Sequence, residues 1–150
     1  MTISDARRQF IADIARHEWI DRLSDEEREN DALYEAMAEK MSDATDAFLG
    51  GDLDPEELHL FATLCTRDGG LERLKQVITH SACDAGTALM VYWMTRPEWF
   101  VQYATAAEAG WDKESFVLIQ TIEQRYLAGS YRSRTDCLRS QASRTGRPVP

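Results

Sequence analysis

Cys83 is the residue best placed for covalent chemistry, because it directly precedes the predicted start of a helix. Residues 83–87 read CDAGT, and a helix N-terminus favours the thiolate, which is the nucleophilic form of cysteine. A cysteine hydrolase also needs a His within hydrogen-bond reach and a third group that orients this His. His80 is close in sequence, whereas the carboxylate of Asp84 opposes thiolate formation. The sequence therefore favours a buried structural cysteine.

The His and Cys residues also offer two weak patterns for a metal site. Glu56 and His59 have the Glu-x-x-His spacing of carboxylate-bridged di-metal bundles, but neither of the other two His residues has a Glu three residues before it. A zinc site from His59, Cys65, His80 and Cys83 lacks the close paired spacing of structural zinc motifs. We therefore predict no bound metal or other cofactor. A small enzyme or metal protein that uses His59, His80 and Cys83 is the alternative.

Two other groups of residues suit binding to a protein. Acidic residues cluster between Asp25 and Glu39 and again between Asp43 and Glu57. Solvated helix faces and helix caps explain most of them, but such a negative patch also steers a basic partner toward docking. The second group is aromatic, and most of it is expected to pack in the core. Its members are Tyr92, Trp93, Trp99, Phe100, Tyr103 and Trp111.

The elements that position these residues are all predicted to be helices. Helix starts are indicated by Ser4, by the capping box at Ser24 and by Asp54-Pro55. No alternating pattern typical of strands occurs, so we predict an all-α fold, a single-domain bundle of six or seven short helices in helix-turn-helix pairs. The predicted helices cover about residues 4–23, 24–50, 54–65, 71–80, 84–95, 97–109 and 112–127.

Within this bundle the helix over 84–95 is apolar on nearly all sides, and we expect it to be central. The predicted domain covers residues 1–128, with N-terminal helices (4–50) added to a unit at 55–128. Residues 129–150 contain five Arg and one Asp with almost no apolar periodicity, which indicates a basic flexible tail.

Charge and composition narrow the class of protein. The chain has a net charge of −9, made up of −13 over residues 1–128 and +4 over 129–150. An acidic body repels phosphate backbones, so nucleic-acid binding is disfavoured except through the tail. Three cysteines without a close pair are typical of a reducing compartment. Because no leader or membrane-spanning pattern occurs, we expect a cytoplasmic protein without a membrane association.

The central stretch carries a family resemblance. Its motifs are LHLFA at 58–62, Asp-Gly at 68–69 and CDAGTALMVYW at 83–93. This combination resembles the family called domain of unknown function 4274, over about residues 55–128. The resemblance implies a small, mostly helical bacterial domain without established chemistry. Domains of this sort often occur beside secreted toxins, where the small acidic partner is the immunity protein.

We therefore predict a cytosolic protein-binding domain, an immunity protein that neutralises a cognate toxin by covering its active site. An enzymatic function is disfavoured, because no P-loop, HExxH or GxSxG motif occurs. An adaptor that binds through its basic tail is a third possibility, and the oligomeric state stays open. The residues predicted to contact a partner are Glu35, Glu39, Asp43, Asp46, Asp68, Trp93 and Trp99.

Overall fold

The computed structural model describes residues 2–65 and 71–133, and over these ranges the chain is all-α, as predicted. The chain divides into two compact units, Met1–Gly70 and Leu71–Pro150, called here the first and the second unit. Short 3₁₀ helices cover Glu18–Arg22 and Gly110–Asp112. The described ranges contain nine α-helices: α1 (Asp5–Arg16), α2 (Asp25–Arg28), α3 (Asp31–Gly50), α4 (Pro55–Leu64), α5 (Leu71–Thr79), α6 (Ala85–Met94), α7 (Pro97–Phe100), α8 (Ala106–Ala109) and α9 (Lys113–Leu127).

The helices outnumber the prediction because some predicted helices are broken. The single helix predicted over 97–109 was wrong: α7 ends at Phe100, and α8 begins after Thr105, whose hydroxyl accepts a hydrogen bond from the Glu108 N–H at 3.4 Å. The first predicted helix is broken at His17, whose left-handed φ of 60° separates α1 from the 3₁₀ helix. Local capping competes with helix continuation at such positions, and periodicity alone does not reveal it.

The core of the first unit is built on α1, which packs against α3 and α4. Ile11, Leu58 and Phe61 are almost fully buried. The ring of Phe48 lies 6.1 Å from that of Phe10 and 5.4 Å from that of Phe61, measured between centroids. These aromatic contacts stabilise the unit beyond the area they bury.

Two short ion pairs add polar links within the first unit. Arg7 of α1 donates to the Glu57 carboxylate of α4 at 2.6 Å. Arg22 donates two hydrogen bonds, at 2.8 and 2.6 Å, to the carboxylate of Asp13. This hydrogen bonding from Arg22 holds the pKa of Asp13 below its ordinary value, although burial opposes the shift. These acidic residues therefore serve the fold itself.

The second unit is organised around α9, which packs against α5, α6, α7 and α8. Ile122 of α9 is buried, as are Leu74 of α5 and Val91 of α6. An apolar cluster joins Phe116 and Ile119 of α9 with Phe100 of α7 and Ala109 of α8. The expectation that the helix over 84–95 is central was wrong, because the side chains of Leu89 and Trp93 in α6 face solvent. A helix that is apolar all round can thus lie at a surface and leave one side uncovered.

The chain turns back after α9 and contacts the start of α6. Gly129 has a φ of 69°, which glycine adopts without a Cβ penalty. Three residues later, the Arg132 carbonyl accepts a hydrogen bond from the Ala85 N–H at 2.9 Å. The Tyr131 side chain between these points is 9% exposed. The flexible tail was predicted to begin at residue 129, which is too early, because the side chain of Tyr131 is buried. The rest of the predicted tail, residues 134–150, lies outside the described residues.

Candidate functional site

The long helix α3 presents a continuous row of carboxylates, called here the acidic face and made up of Asp31, Glu35, Glu39, Asp43 and Asp46. All five side chains are exposed. Steps of four and three residues keep them within an arc of about 120° and spread them over about 22 Å along the helix axis. Lys40 is the only basic residue of α3. Four of the residues predicted to contact a partner therefore share one helix surface.

These carboxylates are not used to hold the described part of the fold together. Within the described ranges, Asp31, Glu35, Glu39 and Asp43 make no ion pair or side-chain hydrogen bond. Like charges four residues apart destabilise a helix by about 0.2 to 0.5 kcal/mol per pair. Fold stability therefore does not explain the acidic face beyond Asp31, which lies in the first turn of α3, where the helix dipole favours a negative charge.

Other acidic residues have structural roles, as the sequence indicated for most of them. Asp84 is buried and caps α6, where its carboxylate accepts a hydrogen bond from the Thr87 N–H at 2.7 Å. Glu57 accepts hydrogen bonds from Arg7 and from the Asp54 N–H. The described acidic residues thus include capping or paired ones, such as Asp84 and Glu57, as well as the exposed row on α3.

The two tryptophans predicted to contact a partner are both solvent-exposed. Trp93 of α6 is 65% exposed and Trp99 of α7 is 57% exposed. They flank the break at Arg96-Pro97, where Arg96 adopts a φ of 56° and α6 has ended. The expectation that most aromatic residues of this stretch are core was wrong. Phe100 is buried, Tyr92 and Tyr103 are partly buried against the same apolar cluster, and Trp111 is fully exposed.

Other residues that the sequence singled out lie outside the described ranges or are exposed on the surface. Asp68 lies outside the described residues. Leu89, Val117 and Leu127 are apolar residues of the predicted helices over 84–95 and 112–127, and all three are exposed in the second unit. Their spacing placed them on the correct helix, but periodicity does not tell whether a neighbouring element covers them. Tyr131 was missed because it stands alone among polar residues.

The residues of the enzyme and metal alternative occupy ordinary structural positions. The His80 Nδ1 accepts a hydrogen bond from the Ala82 N–H at 2.9 Å, which closes the turn after α5. Cys83 is buried, and its thiol lies 3.6 Å from the Asp84 carbonyl oxygen. His59 is half-buried on α4 of the first unit. Over residues 2–65 and 71–133, no group of three His, Cys, Asp or Glu side chains is arranged to hold a metal ion.

Cys83 belongs to a buried cluster with the residues that follow α9. Burial raises the pKa of Tyr131 to about 12, and the nearby Cys83 adds to this shift while Arg125 opposes it. The Arg125 guanidinium carbon lies 5.5 Å from the centroid of the Tyr131 ring. Within the described ranges, the Tyr131 hydroxyl and the Arg125 Nε have no hydrogen-bond partner of regular geometry. This cluster anchors the returning chain.

None of the helices in the described ranges combines the length and apolar character needed to cross a membrane.

Comparison with known proteins agrees with the resemblance seen in the central stretch. No curated protein and no solved structure matches the chain. Residues 53–127, which run from just before α4 to the end of α9, match the family described as Domain of unknown function (DUF4274). Because this match covers half of its length, the chain belongs to the DUF4274 family.

Proposed function

We propose that this protein is a cytosolic immunity protein that neutralises a cognate bacterial toxin by covering the toxin's active site. The acidic face of α3 is the proposed contact with the basic surface around that site. Trp93 and Trp99 are the proposed apolar anchors, since Trp is enriched among residues that dominate binding energy. Asp46 continues the acidic face, and Asp68 is retained as a proposed contact from the sequence alone.

The single observation that carries the proposal is the exposed row of carboxylates on α3, of which Asp31, Glu35, Glu39 and Asp43 have no internal partner in the described ranges. Glu35, Glu39 and Asp43 add repulsion along their own helix, and these exposed charges remain available to a second molecule. A toxin that attacks nucleic acid needs basic residues where it holds phosphates, and such a surface complements the acidic face. Complementary charge chiefly accelerates association and selects the partner.

The test uses the protein encoded beside this chain's gene as the toxin. Association and dissociation rates would be measured at low and high salt for the full chain and for the triple variant Glu35→Gln, Glu39→Gln, Asp43→Asn. We expect association of the variant to be slower by about tenfold or more at low salt, with a smaller change in dissociation. Protection of cells that express the toxin should weaken in parallel.

A matched control separates the acidic face from the overall charge. The triple variant Glu72→Gln, Asp112→Asn, Glu114→Gln removes the same charge from exposed positions of the second unit. We expect its association rate to stay within about threefold of the unmodified chain. Equal slowing by both triple variants would contradict the role of α3. The absence of any complex at low salt would contradict the immunity function as a whole.

The proposed tryptophan anchors have a different kinetic signature. Trp93→Ala and Trp99→Ala remove apolar contacts, which affect the bound state more than the encounter. Each variant is therefore expected to raise the dissociation rate, by about tenfold where the tryptophan is a dominant anchor. Unchanged dissociation in both variants would remove the tryptophans from the proposed interface.

A further inference from the structure

The second unit contains an apolar groove between α6 and α9, called here the α6–α9 groove. Its volume is about 240 Å³. Pockets that enclose a drug-sized molecule begin at about 300 Å³, so this groove is suited to one or two side chains of a larger partner. The groove is lined by Leu89 and Tyr92 of α6 and by Ile122, Glu123, Tyr126 and Leu127 of α9.

The apolar surface continues beyond the groove onto its rim. Leu127 is 86% exposed, and Tyr126 is also exposed. Next to the groove, the exposed Trp93 ring meets the Tyr92 ring edge-on at 5.3 Å between centroids. Large contiguous apolar patches on folded proteins are typical of interaction sites, and this exposed apolar surface is a candidate for one.

The charge at the groove is negative. Among the described residues that line the groove, Glu123 is the only charged one, and its carboxylate accepts a hydrogen bond from the Tyr92 hydroxyl at 3.0 Å. Burial, assisted by Glu123, raises the pKa of Tyr92 above its ordinary value. The C-terminal end of α9 adds a partial negative charge beside Tyr126 and Leu127. An apolar site with this charge complements an apolar side chain that stands near a cation.

We propose that the α6–α9 groove binds a segment of another protein in which an aliphatic or aromatic side chain stands beside a Lys or Arg. The apolar side chain occupies the space between Leu89, Tyr126 and Leu127, and the cation pairs with Glu123. Segments that dock between two helices commonly bind through apolar anchors of this kind. The proposal concerns the second unit alone and does not depend on the immunity function.

A second copy of this chain is a poorer occupant than a basic segment. A symmetric dimer places the same surface patch on both sides of the contact. Two α6–α9 grooves facing each other would bring their Glu123 carboxylates and their negative helix ends together. The like charges would disfavour that contact, whereas a Lys or Arg would relieve them.

The experiment selects peptides from a random displayed library of dodecapeptides against the full chain. Selected peptides would then be synthesised with a fluorescent label, and their affinities measured by anisotropy. We expect the selected peptides to combine an apolar residue with a neighbouring Lys or Arg. We expect Leu127→Glu to weaken their binding by about tenfold or more, because it places a charge on the rim of the apolar contact.

Further variants test the chemistry of the site. Val101→Glu makes the same change at a residue that is 85% exposed and outside the groove lining, and should leave affinity within about twofold. Glu123→Gln should reduce the preference for Lys over Gln in the peptide by about threefold or more. Circular dichroism would show whether Leu127→Glu folds. If it does not, Tyr126→Glu serves as the second groove variant.

Several outcomes would overturn the proposal. They are the absence of selected peptides, equal weakening by Val101→Glu and Leu127→Glu, and peptide binding indifferent to replacement of Lys by Gln. A dimer in sedimentation velocity that Leu127→Glu dissolves would show that a second copy occupies the groove. Peptide binding about tenfold tighter to a chain that ends at Ser133 would show that the chain's own C-terminal residues occupy it.

Discussion

Residues 1–70 contain 18 acidic and seven basic side chains, whereas residues 71–150 contain eight acidic and ten basic ones. The first unit thus has a net charge of −11 and the second a net charge of +2. Exposed large hydrophobic side chains are distributed in the opposite way. In the described ranges the first unit has one of them, Tyr34, and the second unit has eight, among them Trp93, Trp99, Trp111 and Leu127.

This contrast shows that two helical units of similar size expose different kinds of side chain. In the first unit, polar and acidic residues surround a core in which the largest apolar side chains are covered. In the second unit, the helices around α9 cover only part of the apolar surface that the sequence supplies. Long-range steering suits the first kind of surface, and short-range apolar contact suits the second.

The largest expected effect tests the difference between covered and uncovered aromatic residues. Phe61→Ala, in the first unit, removes a ring that is 1% exposed and should lower the free energy of unfolding by about 3 to 5 kcal/mol. Trp111→Ala, in the second unit, removes a fully exposed ring and should change it by less than about 0.5 kcal/mol. Urea denaturation followed by circular dichroism measures both. A large loss for Trp111→Ala would mean that this ring is covered in solution.

The next effect concerns the segment that closes the second unit. Tyr131→Ala removes a buried ring and should lower the free energy of unfolding by about 2 to 4 kcal/mol. Tyr131→Phe removes only a buried hydroxyl without a regular hydrogen-bond partner in the described ranges, and should be neutral or slightly stabilising. A marked loss in Tyr131→Phe would indicate that the hydroxyl has a partner in solution.

The pH dependence of Tyr131 follows from its raised pKa. The folded protein holds this proton to a pKa of about 12, while the unfolded chain releases it near about 10. The contribution to stability is therefore complete below about pH 10 and is lost as the pH rises toward 12. Tyr131→Phe should lose less stability over this window than the unmodified protein. Equal alkaline losses in the two proteins would contradict the assignment.

The smallest expected effect concerns the acidic face of α3 in the first unit. The triple variant Glu35→Gln, Glu39→Gln, Asp43→Asn relieves repulsion along α3 and should raise the free energy of unfolding by up to about 1 kcal/mol at low salt. Added salt screens the same repulsion, so the gain should shrink in high salt. Urea denaturation at two salt concentrations measures it. A loss of stability would show that the acidic face supports the fold, and the contrast between the units would weaken.

Local chemistry was predictable from sequence because its partners are close along the chain. The caps at Ser4, Ser24 and Asp84 each join a side-chain oxygen to a backbone N–H three residues later. The predicted helix break at Arg96-Pro97 is also confirmed. Its cause is equally local, because a proline constrains the residue directly before it. Part of the candidate site could also be foreseen, because acids spaced along a polar helix are seldom covered.

The sequence by itself therefore determined an all-α chain, the positions of most helix starts, the concentration of acidic residues in its first half and membership of the DUF4274 family. Only the tertiary structure decided that α9 organises the second unit, that Leu89, Trp93 and Leu127 face solvent, and that Tyr131 is buried. The physical reason is that helical periodicity tells which side chains share a face. Whether that face is covered depends on residues distant in sequence.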